Sequence, residues 1–136
     1  MDAITTQASA AAFIAARCGN EIVLVRRGQG SWGFPGGNVR AGERPGKGAL
    51  RKFKEETGLD VRRQKLEHLC DISRTEDNHT MYLYGINLEP DAFNALETTG
   101  PQGHIIYRCT LEELNKTVLK RNHRKMILLL EKPKKK

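Results

Sequence analysis

Two adjacent carboxylates, Glu55 and Glu56, are the strongest chemical signal in the chain. Helical spacing places Arg51 four residues before Glu55, and Lys52 three and four residues before the pair. Residues at those separations meet on a helix surface, so one face would carry two acids and a lysine. Paired carboxylates suit Mg²⁺, which takes hard oxygen ligands and keeps waters and substrate phosphates as the rest of its shell. Gly37 closes a glycine-rich stretch, Gly28 to Gly37, that can bring backbone close to such a site without a Cβ in the way. Each piece alone is ordinary. A Glu-Glu pair is usually a solvated face, and Arg51 with Glu55 alone would be a surface ion pair of about 0.3–0.5 kcal/mol. Their joint spacing lifts them above that.

The stretch from Gly37 to Leu59 reads GNVRAGERPGKGALRKFKEETGL. It resembles the Nudix box, G-x5-E-x7-R-E-U-x-E-E-x-G-U, with Gly37, Glu43, Arg51, Phe53, Glu55, Glu56, Gly58 and Leu59 in register. Lys52 stands where the pattern has its first glutamate of the R-E-U-x-E-E segment. The preceding Trp32-Gly-Phe-Pro-Gly-Gly37 looks like the lead-in many members carry. The resemblance implies an α+β fold, an α/β/α sandwich with a mixed central sheet. It also implies a Mg²⁺- or Mn²⁺-dependent pyrophosphohydrolase acting on a nucleoside diphosphate derivative. Gly37, Glu55 and Glu56 would hold metal, Glu55, Glu56, Arg51 and Lys52 would form the catalytic group, and Glu43 would partner Arg51. Trp32, which reads equally as a hydrophobic plug for its loop or as a ring stacking on a base, and Arg26 and Glu97 are the candidate substrate contacts. Glu97, with Glu76 and Asp77 behind it, is the late-loop source for a base.

Lys52 changes the charge of this face from −3 to −1, so Mg²⁺ is expected to bind weakly. The lysine could instead touch substrate phosphate as a fixed charge. A catalytically impaired nucleotide- or RNA-binding module is therefore the alternative reading.

The elements that must position these residues follow from the rest of the pattern. Two apolar runs, 8–18 and 21–27, flank Gly19-Asn20 and read as a hairpin, although the alanines of the first also favour helix. Pro45 and Gly58 bracket a helix over 46–57, with Ala49, Leu50, Phe53 and Thr57 on its apolar side. Gly46 and Gly48 each weaken that helix by about 1 kcal/mol relative to Ala. Strands are expected over 61–73, 79–88 and 104–109, with a long loop over 89–103. Thr110 to Glu113 is a capping-box pattern, and 117–131 is a basic amphipathic helix with Val118, Leu119, Met126, Ile127, Leu129 and Leu130 as its apolar positions. His79, His104 and His123 read as satisfied surface or strand histidines.

The 136 residues fit a single domain over 1–131 with a basic, disordered tail over 132–136. The net charge of +7 is uneven: nine basic residues and one acid place +8 on 116–136, and 1–115 nets −1. That end, with Lys47, Arg51, Lys52 and Lys54, either solvates an exposed helix and tail or suits a polyanion; the expected partner is a nucleotide or phosphorylated small molecule, with RNA at the C-terminus under the second alternative. No apolar run reaches the roughly 18 residues of a membrane span, and no secretory signal opens the chain. Cys18, Cys70 and Cys109 are scattered and odd in number, which points to free thiols in a reducing, cytoplasmic setting.

Overall fold

The computed structural model describes residues 9–117 and 119–131. Val118, the side chains of Leu129 and Leu130, and the 132–136 tail lie outside the described residues. The elements in order are β1 (Ser9–Cys18), β2 (Glu21–Arg26), β3 (Gly36–Asn38), α1 (Pro45–Thr57), β4 (Glu67–Arg74), β5 (His79–Asn87), α2 (Pro90–Asn94), β6 (Ile105–Thr110), α3 (Leu111–Leu114) and α4 (Arg121–Glu131).

β1 settles the ambiguity of its alanines. It is the central strand, parallel to β5 from Ser9↔His79 to Arg17↔Asn87 and antiparallel to β2 and β3. The sheet runs β4-β5-β1-β2-β6, with β3 added beside β1. Ala12, Ile14 and Ala16 point into one apolar cluster, and Ala11, Phe13 and Ala15 into the other. A strand buried on both faces needs no polar alternation, and that is why its sequence resembles an alanine-rich helix.

α1 covers the first face. Its Ala49 and Phe53 are fully buried with Ile14 and Val23, and Phe93 of α2 joins them. α4 covers the second face, where Met126 and Ile127 pack with Phe13, Leu24 and Leu83. The result is a mixed sheet between two helical layers. Pro45 starts α1 and Gly58 ends it at φ 81, its N–H donating to the Lys54 carbonyl.

Four boundaries differ from the sequence reading. The 61–73 strand begins only at Glu67, and the 89–103 loop contains α2, started by Pro90 with Asp91 in its first turn. The last helix begins at Arg121 rather than 117, because Trp32 bridges to Leu119 and the Lys120 N–H donates to the Trp32 carbonyl. The glycine-rich loop is not wholly irregular: Val25 bridges to Gly33, and Gly36 opens β3. Among the described residues no helix is long and apolar enough to cross a membrane.

Candidate active site

The site is assembled where β3 meets the second half of α1. Gly36 makes this possible, since a Cβ there would run into the Ala12 carbonyl oxygen and the Phe13 backbone. With nothing in the way, the Gly36 N–H reaches the Glu56 carboxylate and donates to its Oε1 at 3.1 Å. Glu56 is only 5% exposed. Burial pushes its carboxyl above the usual range, while the Gly36 N–H and the Lys52 charge act against that shift.

Arg51 is the hub of a second network. Its guanidinium forks onto Glu43, Nε donating to Oε2 and Nη2 to Oε1, both at 3.0 Å. Nη1 donates to Glu55 Oε2 at 3.2 Å, and Nη2 also donates to the Asn38 carbonyl at 3.1 Å. The Arg40 N–H adds a 2.9 Å bond to Glu43 Oε1. Arg51, helped by that N–H, holds the Glu43 carboxyl down at about 2. This network explains Gly48, which the helix pattern leaves as a defect. A Cβ there would lie 3.0 Å from Glu43 Oε1 and 3.3 Å from Val39 Cγ2.

Lys52 sits between the two networks. Its Nζ is 3.6 Å from Glu55 Oε1 and 3.6 Å from Glu56 Oε2. Its Cε lies 2.8 Å from where a Cβ on Gly37 would be, so the side chain runs over the Gly37 backbone. The structure thus brings together all five residues of the expected catalytic and metal sets: Gly37, Arg51, Lys52, Glu55 and Glu56. It also shows that this arrangement does not fit a divalent ion. Glu56 Oε1 is taken by Gly36 and Glu55 Oε2 by Arg51. The two remaining oxygens both face the Lys52 ammonium, and a Mg²⁺ about 2.0–2.1 Å from each of them would press against that like charge. Among the described residues no three of His, Cys, Asp and Glu cluster as a metal group.

Beside Lys52 and Glu56 opens a cavity of about 190 Å³, lined also by Arg27, Gln102, His104 and Lys120. Phe13 and Phe34 form its apolar wall. His104 is the functional candidate that sequence reasoning missed. It is 8% exposed, and its Nδ1 has no hydrogen-bond partner among the described residues. Burial, reinforced by the charges of Arg27, Lys52 and Lys120, pushes its pKa down and keeps the ring neutral. The loop that carries it is held by the Gly100 N–H donating to the His104 carbonyl at 2.8 Å. Gly100 in turn lies against α1, where a Cβ would overlap the Glu56 carbonyl oxygen. Gly100 and Gly103 flanking Pro101-Gln102 were the available sign of a shaped loop.

The remaining expected residues lie elsewhere. Glu97 is exposed and lines a groove with Thr57, Gly58 and Leu59 at the end of α1, outside the Lys52 cavity. Asp77 pairs with Arg74 at 2.8 Å in the β4–β5 turn. Arg26 and Trp32 share a separate groove with Tyr107; the guanidinium is 4.6 Å from the indole centroid, and Tyr107 is 5.4 Å away on a tilt. His79 is 2.7 Å from the Ser9 hydroxyl. His123 is fully enclosed, its Nδ1 accepting from the Phe34 N–H at 2.8 Å. Desolvation holds its pKa down at about 3. Arg124, counted with the basic C-terminus, turns back onto the carbonyls of Leu114 and Thr117 at 3.3 and 2.7 Å.

The sequence model of the NUDIX domain matches residues 5–130. Among solved structures, a MutT protein from Methanosarcina mazei Go1 is 18% identical, with TM-score 0.69 over 95% of this chain and 96% of that one. The NUDIX domain of Shewanella oneidensis NrtR, complexed with ADP ribose, is 18% identical, with TM-score 0.71 over 93% of this chain and 86% of that one. A bifunctional NMN adenylyltransferase/ADP ribose pyrophosphatase from Francisella tularensis is 15% identical, with TM-score 0.72 over 94% of this chain but 42% of the larger protein. At these identities the likeness concerns the fold. A comparison with curated proteins gave no match.

Proposed function

The chain belongs to the NUDIX domain family of pyrophosphohydrolases, and on that premise we propose that it hydrolyses the pyrophosphate bond of a nucleoside diphosphate derivative in the cavity beside Lys52 and Glu56. The observation that carries this reading is the preserved frame. Arg51 ties Glu43 to Glu55, Glu56 is pinned to Gly36, and Gly36 and Glu56 line a cavity with three cations. Arg27, Lys52 and Lys120 would neutralise phosphate charge as it develops on the leaving group. His104 lines the same cavity as a neutral ring and adds a polar group to its wall.

Family members generally use a divalent metal, which neutralises phosphate and activates water. In this chain Gly37, Glu55 and Glu56 would hold such an ion only if Lys52 released the two carboxylates. Two of the structural neighbours concern ADP ribose, which supports a nucleoside diphosphate linked to a second group. A capped or 5′-phosphorylated RNA end is the form of that substrate that the +8 on residues 116–136 favours.

The test is release of nucleoside monophosphate from a panel of ADP ribose, sugar nucleotides, nucleoside diphosphates and capped RNA, each with Mg²⁺, with Mn²⁺ and with EDTA. Release from at least one derivative is expected, and none from any would refute hydrolysis. The ion pairs of Lys52 favour a second reading, in which the same cavity binds such a ligand without cleaving it.

A further inference from the structure

We infer that Lys52 is the resident cation of the cavity, so that the diphosphate of the ligand docks directly on Lys52, Arg27 and Lys120 with no divalent ion between it and the protein. This rests on the pyrophosphate reading above and departs from the family's use of metal.

Three observations carry it. The first is donor arithmetic. A lysine ammonium has three N–H donors. Glu55 Oε1 and Glu56 Oε2, each at 3.6 Å, are ion-pair partners beyond hydrogen-bond length, so the donors are not committed to them and are left for a group in the cavity that Lys52 lines. The second is charge. The lining holds three cations and one carboxylate, Glu56, a formal +2 that suits a diphosphate. The third is size. About 190 Å³ is below the roughly 300–1,000 Å³ of a pocket that encloses a whole drug-sized ligand. The cavity accepts a diphosphate and leaves the nucleoside outside it.

His104 and Gln102 add neutral polar contacts, and the buried His104 Nδ1 lacks a protein partner among the described residues. Lys52 is also held in place. Its stem lies on the Gly37 backbone, where no Cβ intrudes, and its two carboxylate partners fix the ammonium before any ligand arrives.

The probe is inorganic pyrophosphate, with ADP as a second ligand, titrated calorimetrically at low salt into the full chain. Wild type should bind pyrophosphate in EDTA, and Mg²⁺ should not tighten binding. Lys52→Met should weaken binding in EDTA by about 10- to 100-fold, the loss of one charge-assisted contact. Arg27→Met, on an exposed side chain, should weaken it in the same direction with no effect on folding. Circular dichroism melts confirm that each variant is folded. Binding by wild type only when Mg²⁺ is present would overturn the inference. So would no binding under either condition, or Lys52→Met binding in EDTA as tightly as wild type. Hydrolysis is read separately. Cleavage that strictly needs Mg²⁺, with no metal-free binding, keeps the proposed activity and removes this inference. Metal-free binding without cleavage does the reverse.

Discussion

Removing the Glu43 charge tests whether the Arg51 network holds the site together. In Glu43→Gln the fork from Arg51 loses its ionic partner, while Arg51 keeps Glu55 and the Asn38 carbonyl. The Glu43 carboxyl falls from 4.5 to about 2 in the folded chain. At about 1.4 kcal/mol per pH unit that corresponds to about 3 kcal/mol of stability at neutral pH. The side chain is 17% exposed, so solvent screening brings the expected value nearer 1.5 kcal/mol. The sign follows from the lowered value. The contribution is complete above about 4.5, where the unfolded carboxyl is ionised, and is lost as pH falls toward 2. Urea denaturation of both proteins at pH 7, 5 and 3.5 measures it. The stability gap should be about 1.5 kcal/mol at pH 7, nearly as large at pH 5, and clearly smaller at pH 3.5. His123 adds its own acid sensitivity, because its buried ring stays neutral down to about 3 while the unfolded one titrates near 6.5. That term is common to both proteins and cancels in the difference. A gap equally large at pH 3.5 and pH 7 would mean that the Glu43 charge is not the stabilising element.

Three further perturbations probe the site and its supports. Lys52→Glu returns the face to −3 and should raise Mg²⁺-dependent hydrolysis by about 10²–10⁴-fold, the gain a placed general base supplies; product release in the nucleotide panel reads it, and no gain would place the limitation elsewhere. Gly100→Ala forces a Cβ into the Glu56 carbonyl, so it should cost about 1–3 kcal/mol and weaken pyrophosphate binding as His104 shifts, seen in a melt and a titration on the same sample. Thr110→Ala removes the side-chain acceptor for the Glu113 N–H, 3.1 Å away, and should cost about 1 kcal/mol in urea denaturation without altering pyrophosphate affinity.

The spacing of the candidate site was readable because helical periodicity fixes which residues meet. Arg51, Lys52, Glu55 and Glu56 share a face whatever the rest of the chain does, and α1 places them so. The hairpin and the capping box at Thr110 were legible for the same reason, being set by neighbours in sequence. What escaped was non-local. His104 looks like any strand histidine until Gly100 folds its loop against the Glu56 carbonyl. Glu97 looked like the late-loop acid, but α2 and the turn after it direct it to the groove beyond Gly58. Gly48 looked like a weak point of a helix, since nothing in the helix pattern reveals that the Glu43 carboxylate fills the space of its missing side chain.

Position 52 can change sign without disturbing the frame because Arg51 and Lys52 do different work on adjacent residues. The Arg51 fork engages Glu43 and one oxygen of Glu55, and none of those bonds involves residue 52. Glu56 is the vulnerable member. It is buried, and without a nearby cation its carboxylate would have only the Gly36 N–H to offset desolvation. A divalent ion supplies that cation in proportion to its concentration. The Lys52 ammonium supplies it at all metal concentrations, because it is covalently attached. The exchange has a chemical limit: an ammonium carries one charge where a divalent ion carries two, and it cannot act as a Lewis acid on bound water. If Lys52 is the resident cation inferred above, the site would favour holding a diphosphate at any metal level over cleaving it quickly.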